Sequence, residues 1–259
     1  MKPTLQDLEH LARQAGNILR ASYGQQLSID HKGVIDLVTD VDHRSEAYLL
    51  GEIRSRFPGH KIIAEESGES AGASGQVWYI DPLDGTVNYA HGVPIFSVSI
   101  AYSEAGRVQL GVVYDPMRDE CFSGQAEHGA WLNGKPLHVS EEHKLDQALL
   151  VTGFPYDIRT NPDNNLEHYT RFALRSQGVR RLGSAALDLC YVAAGRFDGF
   201  WELRMSAWDI AAGGLIAEQA GARVTNVAGS ADYLAAPQSI LAANPDLHSQ
   251  MLAVLNRQG

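Results

Sequence analysis

The sequence predicts an α+β fold, helices layered on mostly antiparallel sheet, from three observations. Two helix-patterned stretches open the chain. Between about residues 95 and 139, apolar and polar residues alternate with period two and are broken by hairpin turns. Beyond about Ser140 the strand and helix patterns start afresh. The run of antiparallel strands after two helices speaks against a doubly wound sheet. The chain's 259 residues suffice for one large domain or two tightly joined lobes. No internal repeat or long linker divides it. A single unit over 1–259 is expected, with an N-terminal lobe of about 1–140 and a C-terminal lobe of about 141–259.

Taken in order, Thr4 and Asp7 resemble an acidic capping box, Leu5 to Leu19 repeat at helical spacing, and Gly24 supplies a stop. A second helix is expected from near Asp42 to Phe57, with Tyr48, Leu49, Ile53 and Phe57 inward. Asp36, Asp40 and Asp42 crowd its start together with Thr39, more acids than a cap needs. Lys61–Ala64 reads as a short buried strand, and residues 69–75 as a small-residue loop. Val77–Ile80 is a strand ending in a turn over Asp81–Thr86. Ile95–Tyr102 and Val108–Tyr114 pair across Ser103–Gly106, and Asn133-Gly134 marks a further hairpin. In the second half, strands are expected at Ala148–Thr152, Phe197–Leu203, Ala222–Val227 and Ser239–Ala242. Helices are expected at Asn165–Ser176, Ser184–Ala194, Ser206–Ala220 and Pro245–Leu255.

Hydrophobic residues make up 44% and charged residues 20%, the composition of a protein with a substantial core. The formal net charge of -10, with no basic block larger than Arg180-Arg181, argues against nucleic acid and anionic membranes as partners. An acidic protein that handles phosphates needs borrowed positive charge, usually a divalent metal. Cys121 and Cys190 are too few and too far apart for a disulfide framework or a zinc site, so buried thiols are expected. The first residues hold no apolar signal core, and no run approaches the roughly 20 apolar residues of a membrane span. A cytoplasmic enzyme is the default expectation.

The chemistry gathers at Asp81-Pro82-Leu83-Asp84-Gly85-Thr86. Two carboxylates leave the end of a buried strand and can converge on a cation, and the amides of Gly85 and Thr86 can face a phosphate. Three further features put acids at element ends: Asp36/Asp40/Asp42, Glu65/Glu66 and Asp209. Each alone has a structural explanation, Asp209 as a helix-start acid included. Together they suit a centre of hard cations, which neutralises phosphoryl oxygens and activates water. The ten histidines are scattered, against a zinc or iron cluster.

With these residues in view, the chain resembles the inositol monophosphatase family of Mg²⁺-dependent, lithium-sensitive phosphatases, in its bacterial form. The resemblance rests on Trp78–Tyr89 and Trp208–Gly213, supported by Ala64–Gly68 and Asp36–Thr39 in the expected order. It implies the alternating αβαβα layered sandwich of the inositol monophosphatase and fructose bisphosphatase type, and a homodimer. It also implies hydrolysis of a small phosphorylated polyol or sugar, myo-inositol 1-phosphate foremost, by direct in-line attack of a metal-activated water. Glu65, Asp81 and the carbonyl of Leu83 would hold one Mg²⁺, Asp81, Asp84 and Asp209 a second, and Glu65 with waters a weaker third. The amides of Gly85 and Thr86 would bind phosphate, while Thr86, polarised by Asp42, would help Glu65 orient the water. Asp36 would belong to the same front cluster. Glu202 would bind substrate hydroxyls in a pocket also lined by Asp84, Ser184, Ala185 and Asp209.

Two positions depart from the family pattern. His31 stands where a lysine is usual, with Lys32 beside it, and Arg204 stands where glycine is frequent. Arg204 would either favour a more anionic substrate or point into solvent. Phosphatases that form a phosphoaspartate use Asp-x-Asp-Gly-Thr, and the two residues between Asp81 and Asp84 put that chemistry out of register. An EF-hand is excluded, because Asp36–Asp42 lacks the central glycine and the terminal glutamate. Fructose 1,6-bisphosphate, histidinol phosphate and nucleotide 3′-phosphates stand as alternative substrates, and a non-catalytic metal-binding regulator as the alternative of another class.

Overall fold

The computed structural model describes residues 2–25, 29–31 and 37–256. Lys32 and Asp36 lie outside the described residues, as does the side chain of His31. The N-terminal half runs α1 (Leu5–Ser22), β1 (Ile29–His31), β2 (Leu37–Thr39), α2 (Asp40–Arg56), β3 (His60–Ala64), β4 (Gly68–Glu69), β5 (Ala73–Asp84) and α3 (Thr86–Ala90). It continues with β6 (Ser97–Glu104), β7 (Arg107–Asp115), β8 (Glu120–Gln125), β9 (Gly129–Leu132) and β10 (Lys135–Pro136). Beyond it come β11 (Leu149–Thr152), α4 (Leu166–Ala173), β12 (Gly178–Arg180), α5 (Ala185–Ala193) and β13 (Gly199–Met205). The chain closes with α6 (Ala207–Gln219), β14 (Arg223–Thr225), β15 (Gln238–Ala243) and α7 (Pro245–Leu255).

Eight strands form one sheet in the order β10-β9-β8-β7-β6-β5-β3-β4, antiparallel except where β3 meets β5. Five form a second, β12-β11-β13-β15-β14, in which β11 is parallel to both neighbours. Helices α1 and α2 cover one face of the large sheet, and α5 and α6 its other face, where they also meet the small sheet. Helices α4 and α7 close the far side. The layers alternate αβαβα, as expected. The central helices can lie so close because their neighbours are small: a Cβ on Gly111 of β7 would sit 2.9 Å from the Ala212 carbonyl oxygen of α6.

Local rules account for most boundaries. At α1, Asp7 Oδ2 accepts from the Thr4 amide at 2.8 Å and its hydroxyl at 2.7 Å, the reciprocal cap read in the sequence. Both cysteines are buried, and burial pushes the Cys121 thiol up to about 12. Two boundaries differ from expectation. The 69–75 segment is mostly sheet, because β5 begins at Ala73 and pairs with His60. The strand also does not stop at Ile80. It runs on to Asp84 through a bulge, the β6 register stepping from Asp81↔Ser99 to Asp84↔Ser97. Pro82 has no amide to offer the ladder, and Asp81 Oδ1 takes the Leu83 amide at 3.0 Å, bending the strand around its own side chain.

In the small sheet's outer layer, His248 of α7 is fully buried, with Nε2 2.9 Å from Thr225 Oγ1. Burial, with Arg223 nearby, depresses it to about 4. Below its unfolded value near 6.5 the unfolded chain therefore binds a proton that the native state resists, and stability falls with pH. From pH 7 to pH 5 this residue is expected to cost about 2 kcal/mol. Urea midpoints should fall more steeply in the wild type than in His248→Gln, and parallel curves would refute the assignment.

Candidate active site

Where β5, α3, α5, β13 and α6 converge, a cavity of about 310 Å³ opens. It brings together Glu65, Asp81, Leu83, Asp84, Gly85, Thr86, Ser184, Ala185, Glu202 and Asp209, residues spread over more than half the chain. Each arrives by a local device. Asp81, Leu83 and Asp84 project from the bulge. Glu65 follows the end of β3, its amide bonded to the Ile80 carbonyl at 3.1 Å. Gly85 turns the chain into α3 in the left-handed region, φ 101°. A Cβ there would lie 3.0 Å from the Ile95 carbonyl oxygen and 3.2 Å from that of Gly183, so glycine is required on both counts.

Several acids serve the fold and the cavity with different oxygens. Asp42 Oδ2 accepts from the Thr39 amide at 2.9 Å and from the Thr39 hydroxyl, capping α2. Its Oδ1 receives the Thr86 hydroxyl at 3.0 Å. Asp42 thus stands behind Thr86 and does not line the cavity. The Leu83 carbonyl also lies 3.0 Å from Thr86 Oγ1, but one hydroxyl proton serves one acceptor, and a carboxylate is the stronger. Asp84 Oδ2 takes the Ser184 hydroxyl at 2.6 Å, the Ala186 amide at 2.9 Å and the Ser97 hydroxyl at 3.3 Å. Among the described residues its Oδ1 takes only the Ala185 amide, at 3.2 Å, which leaves room for another partner. Asp209 Oδ2 receives the Ser206 amide at 2.8 Å across the first turn of α6. Asp40, by contrast, is exposed and lies 3.8 Å from Arg44.

Among the described residues, six carboxylates line the cavity (Glu65, Asp81, Asp84, Asp188, Glu202 and Asp209) against two guanidiniums, Arg181 and Arg204. The electrostatic consequence is strong. Burial raises Asp81 well above the usual carboxylate range, and the charges of Glu65, Asp84 and Asp209 push it further. Burial, then Glu65, does the same to Asp209. Burial also raises Asp84, although Ser184, Ala186 and Ala185 pull it back, and lifts Glu202 to about 8. Such a cavity repels a phosphate unless cations are added. The donors at the Asp81 end are all oxygens, and among the described residues no histidine or cysteine lines the cavity, a set that fits Mg²⁺ and not zinc. No ready-made cage of three His, Cys, Asp or Glu side chains stands among the described residues. Mg²⁺ does not require one, since it keeps waters and takes substrate oxygens.

Two placements were not legible in advance. Asp188 is 1% exposed, lines the cavity, and leaves Oδ1 without a hydrogen bond among the described residues. Burial and Glu202 raise it well above the usual range. Nothing in the small-residue pattern of α5 marks it. Arg204 does not point free into solvent: it lines the cavity and pairs with Asp157 at 2.6 Å, from a left-handed backbone at φ 57°. Its charge is thereby committed to the 154–165 segment.

An αβαβα sandwich with an acid-walled cavity where its layers meet is the architecture of a phosphatase superfamily. A profile described as the inositol monophosphatase family matches residues 1–259. The chain belongs to the inositol monophosphatase family. The Nus factor SuhB of Salmonella typhimurium is 42% identical over 256 residues, covering 98% of this chain and 96% of its own. The extragenic suppressor protein suhB of Bartonella henselae superposes with a TM-score of 0.92 at 35% identity, over 97% of this chain and 98% of its own. The inositol monophosphatase of Anabaena gives 0.86 at 43% identity, over 97% and 96%.

Proposed function

We propose that this chain is a Mg²⁺-dependent phosphate monoester hydrolase whose preferred substrate is myo-inositol 1-phosphate. The observation that carries the reading is the cavity's excess of carboxylates beside a glycine-turned strand end, a site that can take a phosphate only through cations. The family is in general Mg²⁺-dependent, and two or three ions per site are expected. Glu65, Asp81 and the Leu83 carbonyl would hold one ion, Asp81, Asp84 and Asp209 another. Bound there, the cations supply charge neutralisation at the phosphoryl oxygens and a more acidic water.

The remaining work belongs to the chain itself. The Gly85 and Thr86 amides would cradle the phosphate. Asp42 fixes the Thr86 hydroxyl rotor, so that its lone pairs, with Glu65, can orient the water opposite the leaving oxygen. Asp84, anchored on the start of α5, keeps one oxygen pointed into the cavity. Glu202, which lines the same cavity as Ser184 and Ala185, would accept a hydroxyl of the alcohol. Lithium, entering near Asp81, Asp84 and Asp209, is expected to inhibit.

The test is kcat/KM with Mg²⁺ for inositol 1-phosphate, fructose 1,6-bisphosphate, histidinol phosphate and nucleotide 3′-phosphates. Inositol 1-phosphate should lead. If it falls far below a nucleotide or histidinol phosphate, the substrate assignment is wrong. The name Nus factor borne by the bacterial relatives favours a second reading, a non-catalytic regulatory role. Absence of phosphate release from a broad panel of sugar and inositol phosphates would favour that reading over the first.

A further inference from the structure

Strand β11 and strand β13 run parallel, with Thr152 beside Trp201, so the residue after each strand pair, Gly153, lies alongside Glu202. Both line the cavity. A Cβ built on Gly153 would fall 2.2 Å from Glu202 Oε1, 2.2 Å from Oε2 and 2.4 Å from Cδ. The carboxyl of Glu202 therefore occupies the space in which a side chain at position 153 would begin. Among the described residues no hydrogen bond holds that carboxyl; the charge of Arg181 acts on it, and the space left by Gly153 receives it.

The backbone that provides the shape is itself tied down. Asn165, 3% exposed, donates through Nδ2 to the Gly153 carbonyl at 2.7 Å and to Thr152 Oγ1 at 2.9 Å. Its Oδ1 accepts from Trp201 Nε1 at 2.7 Å. The Thr152 hydroxyl closes the loop by donating to the Trp201 carbonyl at 2.5 Å. This closed circuit of polar groups holds residues 152–153 and 201 in one relation, next to the carboxyl in question.

The geometry points to Gly153 as a specificity-determining position: the missing side chain there seats the Glu202 carboxyl on the cavity wall, where it meets a hydroxyl of the substrate alcohol. The inference deepens the proposed function and rests on its assignment of Glu202 to the alcohol end. A larger residue at 153 would turn the carboxyl away and strand the hydroxyl, while the phosphate end, built from Asp81 to Thr86, would be untouched. Alanine is the informative substitution. The obstructed atoms are the far end of a flexible side chain, and Gly153 is not in the left-handed region, so the backbone accepts a Cβ.

The experiment compares wild type and Gly153→Ala on inositol 1-phosphate and on p-nitrophenyl phosphate, whose alcohol half carries no hydroxyl. The expected result is a loss of about 10- to 100-fold in kcat/KM for inositol 1-phosphate, mainly in KM, with p-nitrophenyl phosphate within about twofold and Tm unchanged. In a Glu202→Ala background the same substitution should add little further loss, since the group it displaces is gone. Equal losses on both substrates, or full additivity with Glu202→Ala, would overturn the inference. If wild type shows no preference for inositol 1-phosphate, it is the substrate assignment that fails. The crystal structure of Gly153→Ala then decides this one: a displaced Glu202 carboxyl upholds it, and an unmoved carboxyl overturns it.

Discussion

Replacing Asp81 by asparagine should abolish Mg²⁺-dependent phosphatase activity, by about 10³-fold or more, while making the metal-free protein more stable. Both effects come from one fact. Asp81 is buried in the bulge of β5 with Glu65, Asp84 and Asp209 around it, and its carboxyl is held well above the usual range by burial and those charges. A folded-state value above the unfolded one means that the native state binds the proton more readily. The carboxyl then lowers stability as pH rises above its ordinary value near 4, until the folded-state value is passed. Asparagine removes that penalty, and its oxygen can keep the bond to the Leu83 amide. A gain of about 1–2 kcal/mol without metal is expected at pH 7, together with loss of the Mg²⁺-induced rise in Tm. Urea midpoints and Tm with EDTA and with Mg²⁺ provide the measurement. An asparagine variant that is less stable without metal, or that still turns over at wild-type rate, would remove Asp81 from the centre.

Gly85→Ala is expected to lose about 100-fold in kcat and about 2 kcal/mol or more in stability. The backbone at this residue is left-handed, and the added Cβ would press on the Ile95 and Gly183 carbonyl oxygens. Neither can retreat cheaply. Ile95 leads into β6, and the Gly183 segment starts α5, on whose first amides Asp84 depends. Relief by rotating Gly85 would swing the amides of Gly85 and Thr86 away from the proposed phosphate position. Activity should not return when Mg²⁺ is raised, because the defect lies in the cradle and not in cation affinity. Steady-state kinetics across a Mg²⁺ titration, with Tm alongside, test this. Full activity in a stable Gly85→Ala protein would rule out the cradle.

Comparing expectation with structure separates two kinds of information. The capping box at Thr4/Asp7, the Asn133-Gly134 turn and the proline at the first turn of α7 were all legible, since each depends on a few consecutive residues. The extension of β5 through Asp84 was not. Pro82 and Gly85 look like turn residues in any short window, and only pairing with β6 keeps the segment in the sheet. Arg204 read as either free or substrate-directed because its partner, Asp157, lies 47 residues away.

By itself, the sequence determined the class of fold, the positions of the acids at element ends and the family to which they belong. The first two follow from periodicity and local hydrogen bonding, which act over one or two turns of chain, and the family from the resemblance carried by Trp78–Tyr89 and Trp208–Gly213. Only the tertiary structure decided which oxygen of each acid is left for the cavity, that Asp188 joins them, and that Gly153 and Glu202 share one space. Those outcomes depend on how layers pack, and close packing brings together atoms from segments that carry no mark of one another in sequence.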